Sequence, residues 1–208
     1  MINLLAQDPI LFFAAAAAII IALTVHEFSH AAMAFYLGDP TAKNEGRLTL
    51  NPLAHLDLWG TILLFLAGFG WGKPVPFNPY NLKNKKWGPA YVSLAGPGSN
   101  LGMVILFSLI LKFAYPALGL GPENALFQFL YFLILINGIL MVFNLLPIPP
   151  LDGSKLLFAL LPQSLDNVKI FLQRYGFFIL IGLVMFGGFF FSSLFGAVIN
   201  SINWFLNL

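Results

Sequence analysis

The amino-acid sequence predicts an all-α polytopic membrane protein, and two observations carry that prediction. Of its 208 residues, 59% are hydrophobic and only 9% are charged, which is more apolar surface than a soluble domain of this size can bury. Several apolar segments are also long enough to cross a bilayer, which takes about 20 helical residues. Because no segment between them is long enough for a soluble domain, we expect residues 1–208 to form a single integral membrane domain.

Four segments are long enough to span the membrane, within an expected total of about four to six transmembrane helices. They are Ile10–Leu37, Ala90–Phe113, Ala125–Leu146 and Tyr175 to about Phe191, the last of which can continue to Leu206. The first segment is too long for a cleavable signal peptide and lacks a basic start, so we expect it to remain in the protein as a span.

A fifth apolar run, Leu58–Trp71, has only 14 residues, a length that suits a re-entrant or interfacial element better than a span. The proline-rich segment Lys73–Leu82 follows it and cannot be helical throughout. We predict that this segment forms an extended strand or an irregular hairpin together with Gly46–Leu50. The sequence therefore predicts a short re-entrant or β-hairpin element between the first and second full spans.

The distribution of basic residues indicates which face is cytoplasmic. If Leu58–Trp71 does not cross the membrane, only Lys112 lies on one face. The other face then carries Lys43, Arg47, Lys73, Lys83, Lys85, Lys86, Lys155, Lys169 and Arg174. Basic residues accumulate on the cytoplasmic side of membrane proteins, so we assign this face to the cytoplasm.

The first span contains the pattern His26-Glu27-Phe28-Ser29-His30. Ionisable side chains at membrane depth are costly and mark functional sites by default. Histidines at i and i+4 project from one face of a helix, so His26 and His30 can bind one metal ion, and Glu27 lies beside them to activate a water. The chain has no cysteine, so any metal must be held by histidine and carboxylate.

A catalytic zinc usually has three protein ligands and one open position, so a third ligand is needed. The candidate is Asp152, which follows the third span in the segment Asn144–Gly153. At 1.5 Å per residue, His30 lies about 10 Å below the cytoplasmic end of its helix, and the third span runs toward the same face. Prolines unwind the chain there, which lets Asp152 fold back toward the histidines.

Together these motifs resemble those of the site-2 protease family of intramembrane zinc metalloproteases. The resemblance covers nearly the whole chain and rests on His26-Glu27-x-x-His30, Gly38-Asp39, Gly46–Pro52, Ala95–Asn100 and Asn144–Gly153. It implies one catalytic Zn²⁺ with His26, His30 and Asp152 as ligands, Glu27 as general base and Asn144 near the scissile carbonyl. The chain is similar to the compact form of the family, without a PDZ domain.

The resemblance implies a zinc endopeptidase that cleaves transmembrane segments of membrane protein substrates, with a zinc-bound water as nucleophile. Zinc lowers the pKa of that water toward about 7, and Glu27 takes its proton. We expect Asn144 to donate a hydrogen bond to the developing oxyanion. A substrate helix must unwind first, and strand addition near Pro74–Leu82 would hold it extended. The expected substrate-binding residues are Pro74, Val75, Pro76, Phe77 and Asn78.

Expected partners are transmembrane protein substrates and membrane lipid, with no nucleic acid, and a homo-oligomer is a further expectation. We expect an integral protein of the bacterial cytoplasmic membrane whose active site lies near the cytoplasmic side. Two other functions compete. A transporter or ion channel would explain intramembrane ionisable groups, although the chain shows no internal repeat. A catalytically silent scaffold would hold a structural metal, although Glu27 is present and a fourth ligand is not evident.

The sequence leaves the roles of several residues open. His55 is interpreted as an interfacial loop residue. Asn100, with Gly96 and Gly98, serves either close helix packing or support of the site. Gly187-Gly188 is either a hinge or a packing notch in the final helix.

Overall fold

The computed structural model describes residues 2–67 and 70–208, which form α-helices joined by turns and extended segments. In chain order the α-helices of these residues are α1 (Ile2–Gln7), α2 (Pro9–Tyr36), α3 (Thr41–Asn44), α4 (Leu58–Ala67), α5 (Gly88–Leu109), α6 (Ala125–Asn144), α7 (Gly153–Leu160), α8 (Asp166–Phe186) and α9 (Gly188–Leu206). By length and composition five could cross a membrane, namely α2, α5 with its continuation to Leu118, α6, α8 and α9. The all-α prediction is confirmed for the described residues, and five lies within the predicted range.

The first three long helices begin and end within about five residues of their predicted limits, for local reasons. Asp8 precedes α2 and its carboxylate accepts the Leu11 N–H at 2.9 Å, while Asn124 caps α6 in the same way. After α2 the chain turns at Gly38, whose φ of +104° favours glycine over any other residue. Beyond α5 a π-helical turn continues the helix past its predicted end.

Helices α2, α5 and α6 pack against one another and carry apolar clusters at two levels. One cluster centres on Leu133 and Ile134 of α6, and the other joins Ala34 of α2 to Leu82 and Val92. The same three helices also bury polar side chains, which are Thr24, His26, His30, Ser93, Asn100, Ser108 and Asn137. Polar groups in such surroundings need hydrogen-bond partners, so this bundle is where a site is expected.

The connection between α2 and α5 differs from the predicted hairpin. Helix α4 covers most of the short apolar run and is too short to cross a bilayer, while Gly68 and Phe69 lie outside the described residues. The β-hairpin is not confirmed, since the described part of the chain contains a single antiparallel bridge, between Leu56 and Gly72. Prolines in the segment 73–82 lack the N–H groups that the hydrogen bonds of a β-ladder need. Several of the remaining backbone N–H and carbonyl groups are hydrogen-bonded to side chains instead.

The predicted fourth span, Tyr175–Phe191, is wrong in its limits, because the helix breaks at Gly187. A Cβ on Gly187 would lie 2.3 Å from the Leu183 carbonyl oxygen, so the break requires glycine. Helix α9 then runs antiparallel along α6. The ring of Phe191 packs on Phe143 at 6.0 Å, and further along Tyr131 donates to Asn203 at 2.7 Å.

Both ends of α8 lie near the same end of the bundle. Near its start, Lys169 lines a cavity with Lys85, and Gly176 is packed tightly against Pro149. Its last residue is joined through Gly187 to α9, which begins beside Phe143 at the end of α6. Helix α8 therefore lies along one end of the bundle, although its length and composition meet those of a membrane span.

Candidate metal centre

The structure brings the three predicted metal ligands together. One turn of α2 places Nε2 of His26 and Nε2 of His30 3.0 Å apart. Oδ2 of Asp152 lies 3.2 Å from the first nitrogen and 3.3 Å from the second. Both histidines are buried, and the three ligand atoms lie within 4.8 Å of one another. Such a cluster matches the donor set of a catalytic zinc, which takes imidazole nitrogen and carboxylate oxygen and keeps one position open.

Asp152 reaches the histidines because α6 ends at Asn144 and the chain folds back over eight residues before α7 begins. Gly153 makes that return possible, since a Cβ there would lie 2.2 Å from the Leu145 carbonyl oxygen. Aspartate is a carboxylate at neutral pH, so Asp152 offers an anionic oxygen to a metal ion.

Two further observations show that the residues fit a metal ion. Oδ2 of Asp152 is buried without a hydrogen-bond partner among the described residues, which is costly unless a cation satisfies it. Gly96 of α5 makes room for both rings, because a Cβ there would lie 2.5 Å from Nε2 of His30 and 2.6 Å from Cε1 of His26. The predicted close approach of helices is thus found at Gly96, whereas a Cβ on Gly98 would meet open space.

The other ring nitrogens of the histidines both face α5. Nδ1 of His30 lies 2.8 Å from the Val92 carbonyl oxygen, and Nδ1 of His26 lies 2.6 Å from Oδ1 of Asn100. Metal-ligating histidines almost always use their second nitrogen in this way, which orients the ring. Of the two roles left open for Asn100, contact with the site is the one that its position supports.

Glu27 points toward the extended segment after α4. Its Oε2 accepts the backbone N–H of Val75 at 3.1 Å, and a Cβ on Gly72 would lie 3.9 Å from its Oε1. The segment is held in place by Arg47, a buried residue whose guanidinium donates to the Pro74 carbonyl at 3.0 Å and also to the Lys73 carbonyl.

Asp39 ties the same segment to the end of α2. Its buried carboxylate accepts the Asn78 N–H at 2.6 Å and the Asn81 side-chain amide at 2.8 Å, and it also binds Thr41. Burial raises the pKa of Asp39, but the hydrogen bonds from Thr41, Asn81 and Asn78 outweigh it and leave the pKa below its usual value. Asp39 is thus an ionised anchor for the segment beside Glu27.

The remaining predicted site residues are Asn144 and the segment Pro74–Asn78, whose hydrogen bonds go to groups other than the three ligands. Asn144 is half-buried at the end of α6, and its Nδ2 donates to the Leu140 carbonyl at 3.0 Å. The predicted substrate-binding residues Pro74–Asn78 pass beside Glu27. Not all of their backbone N–H groups are available to a substrate, because those of Val75 and Asn78 donate to Glu27 and Asp39.

Sequence reasoning missed Asn137 and the role of Arg47 in holding the segment beside Glu27. Asn137 is fully buried and bonded to Asn100, and its isolation in the apolar centre of α6 was the available signal. From the sequence, Arg47 is a basic residue that indicates topology and a part of the stretch Gly46–Pro52 that resembles the family. His55 lies in the expected loop, but it is fully buried and its Nε2 lies 2.8 Å from the Thr49 carbonyl.

An apolar cavity of about 440 Å³ lies between α2 and α6. One wall is the α2 face that leads to the histidines, including Ile19, Ile20 and Leu23, and the facing wall is α6 from Ile136 to Phe143. Helix α4 and the start of α9 supply the other sides. The cavity therefore reaches, through Leu23 and Phe143, to within one helical turn of His26 and Asn144.

Comparison with known proteins matches the chain to one family. A family model described as Peptidase family M50 matches residues 114–183, which include Asn144–Gly153. “Putative zinc metalloprotease YwhC” of Bacillus subtilis is 42% identical over 168 residues, 79% of this chain and 77% of that protein. “Putative zinc metalloprotease Rip2” of Mycolicibacterium smegmatis is 33% identical over 173 residues, 80% of this chain and 64% of that protein. No solved structure matches the chain.

Proposed function

Because the chain belongs to peptidase family M50, the site-2 protease family, we propose that it cuts its substrates within the membrane, at the cluster of His26, His30 and Asp152. It is a zinc metalloprotease. The observation that carries the intramembrane assignment is the position of the cluster, whose histidines belong to α2 within a bundle of apolar helices and whose aspartate comes from the connection between α6 and α7.

A bound zinc supplies Lewis-acid chemistry, since it acidifies a water and polarises a peptide carbonyl. Glu27, next to His26 in the helix, is the carboxylate that would accept a proton from the attacking water and donate it to the leaving amine. In this state its Oε2 accepts the Val75 N–H, which holds the carboxylate on the side of the extended segment. Asn144 uses one amide hydrogen on its own helix and keeps the other for the carbonyl oxygen of the substrate.

The substrate is a transmembrane segment that unwinds beside Pro74, Val75, Pro76, Phe77 and Asn78. Two features support this assignment. The segment is extended and passes Glu27, and the apolar cavity between α2 and α6 suits the apolar side chains of a membrane helix. Pro74 and Pro76 have no N–H, and those of Val75 and Asn78 donate internally. Phe77 is therefore the residue whose N–H would pair with a substrate strand.

Replacing Phe77 with proline tests the strand pairing, because it removes that N–H. Phe77→Leu retains the N–H and is the matched control. We expect the proline variant to raise KM for a transmembrane substrate while the leucine variant stays close to the wild type. Equal KM values for the two variants would discard Phe77 as a pairing position.

The proposed topology has four crossings, made by α2, α5, α6 and α9, with α8 along the cytoplasmic face of a bacterial cytoplasmic membrane. It puts the metal cluster near the cytoplasm, and it leaves Lys112 outside, where it bonds to the Phe205 carbonyl at the end of α9. The chain lacks cysteine, so single cysteines report topology directly. Asn207→Cys should be labelled from outside and Gln173→Cys from the cytoplasm, and the reverse pattern would reject the topology.

The decisive experiment is cleavage of a model transmembrane substrate by purified protein. We expect cleavage that a zinc chelator stops and that Glu27→Gln reduces by about 10²–10⁴-fold, because the general base is lost. Glu45→Gln removes an exposed carboxylate from the same half of the chain and is the control. Both variants should retain zinc. Undiminished cleavage by Glu27→Gln would refute the assigned role, and metal-dependent ion flux without cleavage would favour a transporter.

A further inference from the structure

A chain of hydrogen bonds starts at His26 and crosses three helices. Nδ1 of His26 contacts Oδ1 of Asn100 on α5, and Nδ2 of Asn100 donates to Oδ1 of Asn137 on α6 at 2.7 Å. Nδ2 of Asn137 then donates to the Leu133 carbonyl, one turn earlier in α6, at 2.7 Å. Both asparagines are fully buried between the packed helices.

The direction of every hydrogen bond in this chain is determined at its far end. A backbone carbonyl only accepts, so Asn137 must turn its NH₂ group toward Leu133 and its oxygen toward Asn100. Asn100 must then donate through Nδ2 and turn its own oxygen toward His26. An amide oxygen also only accepts, so His26 carries its ring hydrogen on Nδ1. The lone pair of Nε2 is thereby left facing Asp152.

We propose that Asn100 and Asn137 are positioning residues that keep His26 in the tautomer able to bind zinc through Nε2. The inference rests on the proposed function only in taking the cluster as a zinc site. Without the two amides, the ring of His26 would be free to carry its hydrogen on Nε2, which blocks the ligand atom. Asn137 acts indirectly, because it holds the Asn100 amide in the orientation whose oxygen accepts the hydrogen bond from Nδ1 of His26.

The other two histidines provide internal references. His30 faces the Val92 backbone carbonyl through Nδ1, so it also carries its hydrogen there, and no side-chain substitution at 100 or 137 alters that partner. His55 faces the Thr49 carbonyl through Nε2, so it is the opposite tautomer. The chain contains only these three histidines, which makes each ring separately observable by nitrogen NMR.

The test is a ¹⁵N spectrum of the zinc-free full chain, labelled at histidine, in detergent micelles at a pH where all three rings are neutral. His55→Gln assigns the resonances of the third ring. We expect Nδ1–H for His26 and His30 in the wild type. In Asn100→Leu and Asn137→Leu the His26 signals should shift toward a mixture of tautomers, while His30 stays unchanged.

Zinc affinity, measured by competition with a chelator, is the second readout. Loss of a hydrogen-bond partner behind a metal-ligating histidine typically lowers affinity about 10–100-fold, so we expect that loss for Asn100→Leu. Asn137→Leu should have a smaller effect. Asn100→Asp keeps an acceptor for the His26 ring hydrogen, and its protonated acid can donate to Asn137, so it should restore most of the affinity.

Tyr131→Phe is the matched control, because it removes an interhelical hydrogen bond of 2.7 Å from the same helix α6, away from the cluster. The proposal is overturned if Asn100→Leu lowers zinc affinity no more than this control, or if His26 keeps a single Nδ1–H tautomer in that variant. Normal zinc affinity and tautomers without any cleavage of substrate would instead count against the proposed protease function alone.

Discussion

Helices α2, α5 and α6 differ from α8 and α9 in what they bury, although all five meet the length and composition of a membrane span. The first three bury seven polar side chains between them. The last two, every residue of which is described, bury only Gly176 and Ile202 and expose large apolar side chains such as Phe186 and Phe189, each 87% exposed. Apolar composition therefore shows that a helix tolerates lipid, whereas buried polar partners show where chemistry is built.

The largest effect that would sharpen this comparison comes from removing Asp152. Asp152→Ala takes away one of three ligands, so we expect the purified protein to lose its zinc. Cleavage should fall by more than about 10³-fold, because a catalytic metal supplies several kcal/mol of charge stabilisation. Asp166→Ala, at the exposed start of α8, is the control and should retain zinc and activity. Metal content is read by elemental analysis, and zinc retained by Asp152→Ala would remove this residue from the site.

Gly96→Ala should have the next largest effect. The added methyl would press on both imidazole rings, and overpacking of this kind costs about 1–3 kcal/mol. We expect zinc affinity and cleavage to fall about 10-fold or more. Gly98→Ala, two residues along the same helix, meets open space and should leave both values unchanged. If the two variants behave alike, the fit of Gly96 against the rings is not what the metal site requires.

Asp39→Asn tests the anchor of the segment beside Glu27. At neutral pH we expect the free energy of unfolding to fall by about 1–3 kcal/mol, because a buried hydrogen-bonded carboxylate is lost. The pKa of Asp39 is lowered in the folded protein, so its contribution is present above the ordinary carboxyl pKa and disappears as pH falls through the folded value. Thermal unfolding at several pH values should show the two proteins converging in acid, and a difference independent of pH would contradict this.

The smallest effect is expected at the exposed apolar surface of α9. Phe189→Ala removes a ring that contacts little of the protein, so stability should change by no more than about 0.5 kcal/mol and zinc binding should not change. Leu133→Ala, in the buried core of α6, should cost about 2–5 kcal/mol. Equal losses for the two variants would mean that α9 is packed against protein and that the comparison between the two regions fails.

Prediction from sequence succeeded where local rules apply. Apolar length, capping residues and the i, i+4 spacing of His26 and His30 are properties of single segments. The helices and the two histidine ligands could therefore be predicted from the sequence. The return of Asp152 was predicted because prolines mark the end of the span. By contrast, the limits of the last span were wrong. The pair Gly187-Gly188 signals either a hinge or a packing notch, and the sequence alone does not tell these two apart.

The amino-acid sequence alone determined that this chain is helical and apolar, that two imidazoles share one helix face, and that a distant carboxylate completes the set. Only the tertiary structure decided that both ends of α8 lie near the same end of the bundle. It also decided that side chains, rather than a β-ladder, hold the segment after α4, and that Asn137 contacts His26 through Asn100. The reason is physical. Helix periodicity and hydropathy act between near neighbours, whereas the direction of a hydrogen bond between helices depends on which groups packing brings into contact.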